Sequence, residues 1–271
     1  MDGQQTASPA EVYERYLGPA ISVPWTSVLL EYARPQPGER ALDVACGTGV
    51  VARHVAPLVG VNGKVVALDV SPEMLDVGRL LPAAAGASIE WRQGNADTLP
   101  LPDGEFDLVL CQQGLQFFAD RAASLAEMRR VLADGGRVIL SVWQGLESHP
   151  LYETLFKATI RHLEAPMSDV ATSFSLGNAD ELRALLSDAG FQRIDVAPRM
   201  LQIRLPSPER FVQLTIAGAA TSIPVFTQLD ATTRAALVET VVRETEASVQ
   251  RYVDGDQLTF PMFSHIAVAS A

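Results

Sequence analysis

Leu42-Asp43-Val44-Ala45-Cys46-Gly47-Thr48-Gly49 is an apolar run that closes on an acid and a glycine turn, and Val65-Val66-Ala67-Leu68-Asp69 follows it. Ala41 to Ala45 is short, apolar and β-compatible, the pattern of a buried strand, while Thr48 to Val59 carries apolar residues at helical spacing. Gly47 and Gly49 let the backbone turn tightly and let a ligand approach it closely. A strand-turn-helix unit of this kind aims N–H groups and a helix N-terminus at an anion. A second strand ending in Asp69 places a carboxylate to accept hydrogen bonds from two ribose hydroxyls. Together they predict a nucleoside-binding α/β enzyme.

Two cofactors suit this geometry, because Gly47-Thr48-Gly49-Val50-Val51-Ala52 also has dinucleotide glycine spacing, with an acid about 20 residues on. The glycines alone do not decide. A carboxylate at Asp43, at the mouth of the loop, faces a pyrophosphate unfavourably and suits the ammonium of an amino-acid moiety. Unit charges about 4 Å apart at an effective dielectric of about 20 are worth roughly 4 kcal/mol either way. Asp43 therefore favours S-adenosylmethionine over NAD.

Four segments carry a resemblance to the class I S-adenosylmethionine-dependent methyltransferases, close to the ubiquinone/menaquinone C-methyltransferase-like group of small-molecule enzymes. Leu42 to Gly49 resembles the first motif of that family, and Leu68-Asp69-Val70-Ser71-Pro72-Glu73-Met74-Leu75 resembles the second. Gly94-Asn95-Ala96-Asp97-Thr98-Leu99-Pro100 resembles the loop whose acid meets the adenine amino group. Phe106 to Cys111, Leu115 to Phe118 and Val131 to Arg137 resemble the fourth strand, its following loop and the turn into strand five. The segments run from about Pro37 to Trp143 in the order and spacing of the family. The resemblance implies cofactor contacts at Asp43, Ala45, Cys46, Gly47, Thr48, Gly49, Asp69, Val70, Met74, Asn95, Ala96, Asp97, Gln112 and Gln113. It also implies a Rossmann-like, mostly parallel seven-stranded sheet with helices on both faces. The last strand is expected to be antiparallel, in a hairpin at the sheet edge.

Composition agrees with a small-molecule enzyme. The chain has 271 residues and a formal net charge of −11, which opposes a phosphate backbone and speaks against a nucleic-acid substrate. Its two cysteines, Cys46 and Cys111, form no disulfide framework and lack metal-ligand spacing, so a cytoplasmic setting and no metal are expected. Met1 to Pro9 is polar without a basic and apolar leader, and no apolar run reaches the ~18 residues that would span a bilayer.

Strands are expected near 41–45, 64–69, 88–92, 106–111 and 137–143, with helices near 48–58, 72–83 and 121–133. Beyond Trp143 the rhythm changes to helices over 151–163 and 180–189, a strand over 191–204, helices over 207–219 and 230–250, and a last strand near 258–269. This organisation reads as one methyltransferase domain, residues 1–271. Residues 37–143 form its cofactor core, and 10–33, 144–175 and 207–250 its cap. The cap helices suit either closure over a substrate or homo-oligomer formation. They contain Tyr13, Tyr16, Trp25, Phe156, Phe174 and Phe211, apolar surface for an apolar or aromatic acceptor.

Methyl transfer asks mainly for positioning and exclusion of water. His149, in Glu147-Ser148-His149-Pro150 after strand five, is the candidate base for an acceptor that must lose a proton, against a bland reading as a helix-start residue. Tyr16, Gln116 and Phe117 are candidates for the acceptor pocket, weighed against ordinary packing. Cys46 reads as a small residue in a tight turn, not a nucleophile. The Asn/Asp-Pro-Pro-aromatic turn of amino-directed nucleobase methylases is replaced by Cys111-Gln112-Gln113-Gly114. The expected activity is methyl transfer from S-adenosylmethionine to a small organic acceptor. An NAD-dependent oxidoreductase and a non-catalytic cofactor-binding or assembly protein are the alternatives.

Overall fold

The computed structural model describes residues 8–82, 85–220 and 223–271. β1 (Arg40–Val44), β2 (Lys64–Asp69), β3 (Ile89–Gln93), β4 (Phe106–Gln112) and β5 (Leu132–Trp143) are parallel. Leu42, Val44, Val65, Val66, Val109, Leu110, Val138 and Ile139 have no exposed surface. Strands covered on both faces read as continuous apolar runs, not alternating ones, which is why these segments are so plain in the sequence. The register sets Asp43 opposite Ala67 and Val44 opposite Leu68, so the carboxyl ends of β1 and β2 lie side by side.

From β1 the chain steps outward to β2 and β3 and then returns to β4 on the other side of β1. That reversal opens the crevice in which ligands of such sheets bind. Helices α1 (Pro9–Val12), α2 (Val23–Ala33), α3 (Val50–Val59), α4 (Pro72–Leu80) and α5 (Arg121–Val131) precede or connect these strands. Between α1 and α2 lies a ten-residue π-helix, Tyr13–Ser22, with Pro19 inside it. Ser8 and Glu11 cap α1 reciprocally, each side chain accepting from the backbone N–H of the other.

The remaining elements are α6 (Pro150–Leu163), α7 (Ala179–Asp188), β6 (Gln192–Pro206), α8 (Pro208–Ala220), α9 (Pro224–Gln228), α10 (Ala231–Val249), β7 (Val253–Asp254) and β8 (Gln257–Ser270). Sheet order is β3-β2-β1-β4-β5-β8-β6, with β7 on β8, and the last strands are antiparallel. Two expectations need correction. β8 is an inner strand and β6 the edge, and the two are joined through α8 to α10, not by a hairpin. The hairpin is β7 with β8, where Asp254 faces Gln257 across Gly255-Asp256 and Gly255 has φ 63°. A two-residue strand has no period to read, and periodicity never encodes strand order.

The chain divides into two compact units. Unit 1 runs to Val142 and adds Ala179–Pro198 and His265–Ala271, whereas unit 2 is Trp143–Asn178 with Arg199–Ser264. Of the expected cap segments, 144–175 and 207–250 fall in unit 2, and 10–33 belongs to unit 1. No helix among the described residues is long and apolar enough to cross a membrane.

Candidate cofactor site and active site

At the carboxyl ends of β1 and β2 the glycine turn is tied to the neighbouring strand. Cys46 donates its N–H to the Leu68 carbonyl at 3.0 Å, and Gly47 donates to Asp69 Oδ2 at 2.7 Å. The other oxygen of Asp69 accepts from Ser71 N–H at 2.9 Å, just before Ser71 caps α4 by accepting from Met74 N–H. Asp69 thus fixes the loop and the next helix start at once, and its carboxylate oxygens keep lone pairs for further donors. Gly47 and Gly49 are both left-handed, with φ 56° and 79°. A Cβ on Gly47 would meet nothing, so one face of the turn is open, whereas a Cβ on Gly49 would overlap the ring of Trp91.

Asp43 has a different place from the one expected. Its carboxyl is 1% exposed and turned beneath the loop, where Oδ2 accepts from Ala52 N–H in the first turn of α3 at 2.9 Å. Burial pushes it up to about 8, against the pull of the Ala52 bond, with the charge of Asp69 adding to the rise and that of Arg53 opposing it. Asp43 therefore shapes the loop from below and does not stand at its mouth. Cys46 is buried, and burial followed by the charges of Asp43 and Asp69 holds its thiol well above the ordinary range, the opposite of an activated nucleophile.

The rim after β4 carries backbone strain. Ala45 and Gln113 are non-glycine residues with φ 57° and 54°. Gly114 lets these turns close, since a Cβ there would crowd both Ala45 Cβ and Cys111 Sγ. Gln112 is engaged with the N-terminal segment: its amide donates to the Ser22 carbonyl and its oxygen accepts from Thr26 Oγ1, each at 3.0 Å. Gln116 is buried, and Phe117, at 55% exposure, stands outward. Val70 is also exposed, Tyr16 and Met74 are half-buried, and the Asn95–Asp97 turn sets Ala96 inward. Glu127 and Arg130 of α5 hold that loop from behind, through Leu99 N–H and the carbonyls of Leu99 and Leu101.

Glu14 and Arg53 carried no signal in the sequence. Glu14 reaches from the π-helix to Thr48 Oγ1 with one oxygen and to Arg53 with the other at 3.0 Å. Arg53 also donates to the Thr48 carbonyl. Neither residue belongs to a local pattern, and they lie 39 positions apart.

His149 lies in unit 2 and is corrected as a candidate base. It is 1% exposed, Nδ1 faces the Gly145 carbonyl at 3.1 Å, and Nε2 accepts from Phe263 N–H at 3.0 Å. The tautomer that satisfies both contacts carries its proton on Nδ1, so taking up a second proton would break the bond to Phe263. Desolvation lowers its proton affinity, with the contact to the Gly145 carbonyl pulling the other way. Its location after strand five made it the candidate, and the fold uses it as a pin.

Residues 41–136 match a methyltransferase domain family. The ubiquinone/menaquinone biosynthesis C-methyltransferase of Ectopseudomonas mendocina is 32% identical over 184 residues, 63% of this chain and 72% of that one. The chain belongs to the class I S-adenosylmethionine-dependent methyltransferases, in the ubiquinone/menaquinone methyltransferase-like group. The corresponding Escherichia coli K12 enzyme is also 32% identical, over 70% of this methyltransferase and 80% of its own chain. The solved YcgJ protein of Bacillus subtilis shares the fold, with a TM-score of 0.57, 17% identity, and coverage of 90% of this chain and 97% of that one. This methyltransferase uses S-adenosylmethionine and passes the methyl group to a small-molecule acceptor.

Proposed function

We propose that the enzyme methylates a small apolar or aromatic acceptor in the cytoplasm and that the loop Ala45–Gly49, with Asp69, holds the cofactor. The observation that carries this placement is Asp69: one carboxylate, at the end of β2, secures both the glycine turn and the start of α4. The open face over Gly47 suits the amino-acid portion of the cofactor, and the inward turn at Ala96 and Asp97 suits its adenine. Bound S-adenosylmethionine supplies a methyl group on a sulfonium, already activated for in-line displacement.

The protein's share is orientation. Asp69 accepts from the ribose hydroxyls with its spare lone pairs, and the strained turns at Ala45 and Gln113 bring the rims after β1 and β4 together. Asp43 acts on the cofactor through the loop it braces. Unit 2 supports an apolar acceptor, with Tyr152 within ring-contact distance of Phe156, Phe174, Phe211 and Phe260. Both cysteines are free and buried, in keeping with a reducing compartment. The relatives are named for quinone biosynthesis and for C-methylation, which makes a hydroquinone ring carbon the first acceptor to try.

Incubation with methyl-tritiated S-adenosylmethionine and a panel of prenylated hydroquinones, catechols, aromatic amines, thiols and polar phosphate esters tests this reading. Label in an apolar aromatic product is expected, and mass spectrometry of that product identifies the methylated atom. Label confined to the phosphate esters would refute the acceptor class.

A further inference from the structure

The π-helix Tyr13–Ser22 is the least ordinary segment of unit 1. π-turns occur mostly singly and often mark functional sites, whereas here the wide register persists for ten residues. Polar ties hold both ends. At the first end Glu14 binds Thr48 and Arg53, and Arg53 binds the Thr48 carbonyl, so the clamp closes on the residue between Gly47 and Gly49. At the far end Gln112 binds the Ser22 carbonyl and Thr26, and the Tyr13 hydroxyl bonds Ser22 Oγ at 2.6 Å. Side-chain exposure of Arg53 and Glu14 is 17% and 23%, well below that of an ordinary surface pair, so the ion pair is less screened than one in open water.

We propose that Tyr13–Ser22 is a strap across the cofactor loop and that Glu14 is the positioning residue that ties cofactor retention to it. The inference rests on the placement of the cofactor at Ala45–Gly49. Glu14 acts through its two partners. It fixes the Thr48 hydroxyl and the Arg53 guanidinium, which hold the turn at Thr48 as Asp69 holds it at Gly47. Escape of the cofactor then requires the clamp to part, and cutting the clamp speeds release more than it disturbs the resting fold. Tyr13 moves with the strap. Burial raises its pKa, its bond to Ser22 opposes that, and Glu14, Asp43 and Asp69 add to the rise, so its hydroxyl stands in the field of the acids at the strand ends.

Release of S-adenosylhomocysteine from the full-length protein, followed by stopped-flow fluorescence, tests the strap, since the Trp91 ring packs against Gly49. Glu14→Gln should release it about tenfold faster, the scale of one charge-assisted hydrogen bond. Hydrogen exchange over Tyr13–Ser22 should then lose its cofactor-dependent protection. The exchanged pair Glu14→Arg with Arg53→Glu should recover most of the slow release that either single change loses, a rescue that general loosening would not give. Wild-type release from Glu14→Gln, beside weakened binding in Asp69→Ala, would overturn the strap alone. Wild-type affinity in Asp69→Ala would remove the cofactor placement and the strap with it.

Discussion

Gly47 and Gly49 look alike in the sequence and do different work. Both are left-handed, and alanine in that conformation costs roughly 1 to 2 kcal/mol. At Gly47 that is the whole folding cost, because the added methyl enters open space, the space assigned to the cofactor. At Gly49 the methyl also overlaps Trp91, and overpacking of this kind adds about 1 to 3 kcal/mol. Gly49→Ala should therefore lower the urea midpoint more than Gly47→Ala, whereas Gly47→Ala should lose more affinity for S-adenosylhomocysteine relative to its stability loss. Equal effects on both readouts would contradict the open-face assignment. The place of Asp69 at the end of β2 was legible, because a strand covered on both faces reads as an apolar run and the acid closes it. Asp43 was legible as part of the motif but not as a buried brace, because its partner Ala52 N–H exists only once α3 has formed.

Among the elements, the strands of the cofactor core were the most readable and their ends the least. β5 begins at Leu132, not at 137, because Leu132 pairs with Phe106 ahead of an irregularity in the ladder. α6 starts at Pro150, one residue ahead of the expected 151, and the residue before it has another duty. His149 joins the turn after Trp143 to β8 through Gly145 and Phe263. Its pKa is depressed in the folded state, so the stability it contributes is present above the ordinary histidine value of about 6.5 and is lost as pH falls from there toward the folded value. The loss is at most about 1.4 kcal/mol per pH unit. His149→Gln should cost stability near pH 7.5, and the gap to wild type should narrow near pH 5.5 in urea melts. A pH-independent gap would show that burial of the neutral ring is not what the protein gains.

At the scale of the whole molecule, the cofactor loop and its supporting strands lie in unit 1, and the aromatic cluster around Tyr152 lies in unit 2. S-Adenosylhomocysteine at about 100 times its Kd should add about 2.7 kcal/mol to the state that binds it. Hydrogen exchange should register that gain first in β1, β2 and α3, ahead of α6 and α10. Protection confined to α6 and α10 would move the cofactor out of the loop. Legibility divides along the same lines. The nucleoside-binding plan of the core was determined by the sequence alone, because a strand, a glycine turn, a helix and a second strand ending in an acid are contiguous and each has a local period, whereas the choice of S-adenosylmethionine came with the ordered family motifs and not with Asp43, which the fold buries. Tertiary structure alone decided which side chains meet: Glu14 with Arg53 across 39 positions, Thr26 with Gln112 across 86, and His149 with Phe263 across 114. It also placed β8 inside the sheet. Periodicity records which face of an element is apolar, whereas a polar partner is settled only when chain closure brings distant groups within hydrogen-bonding distance.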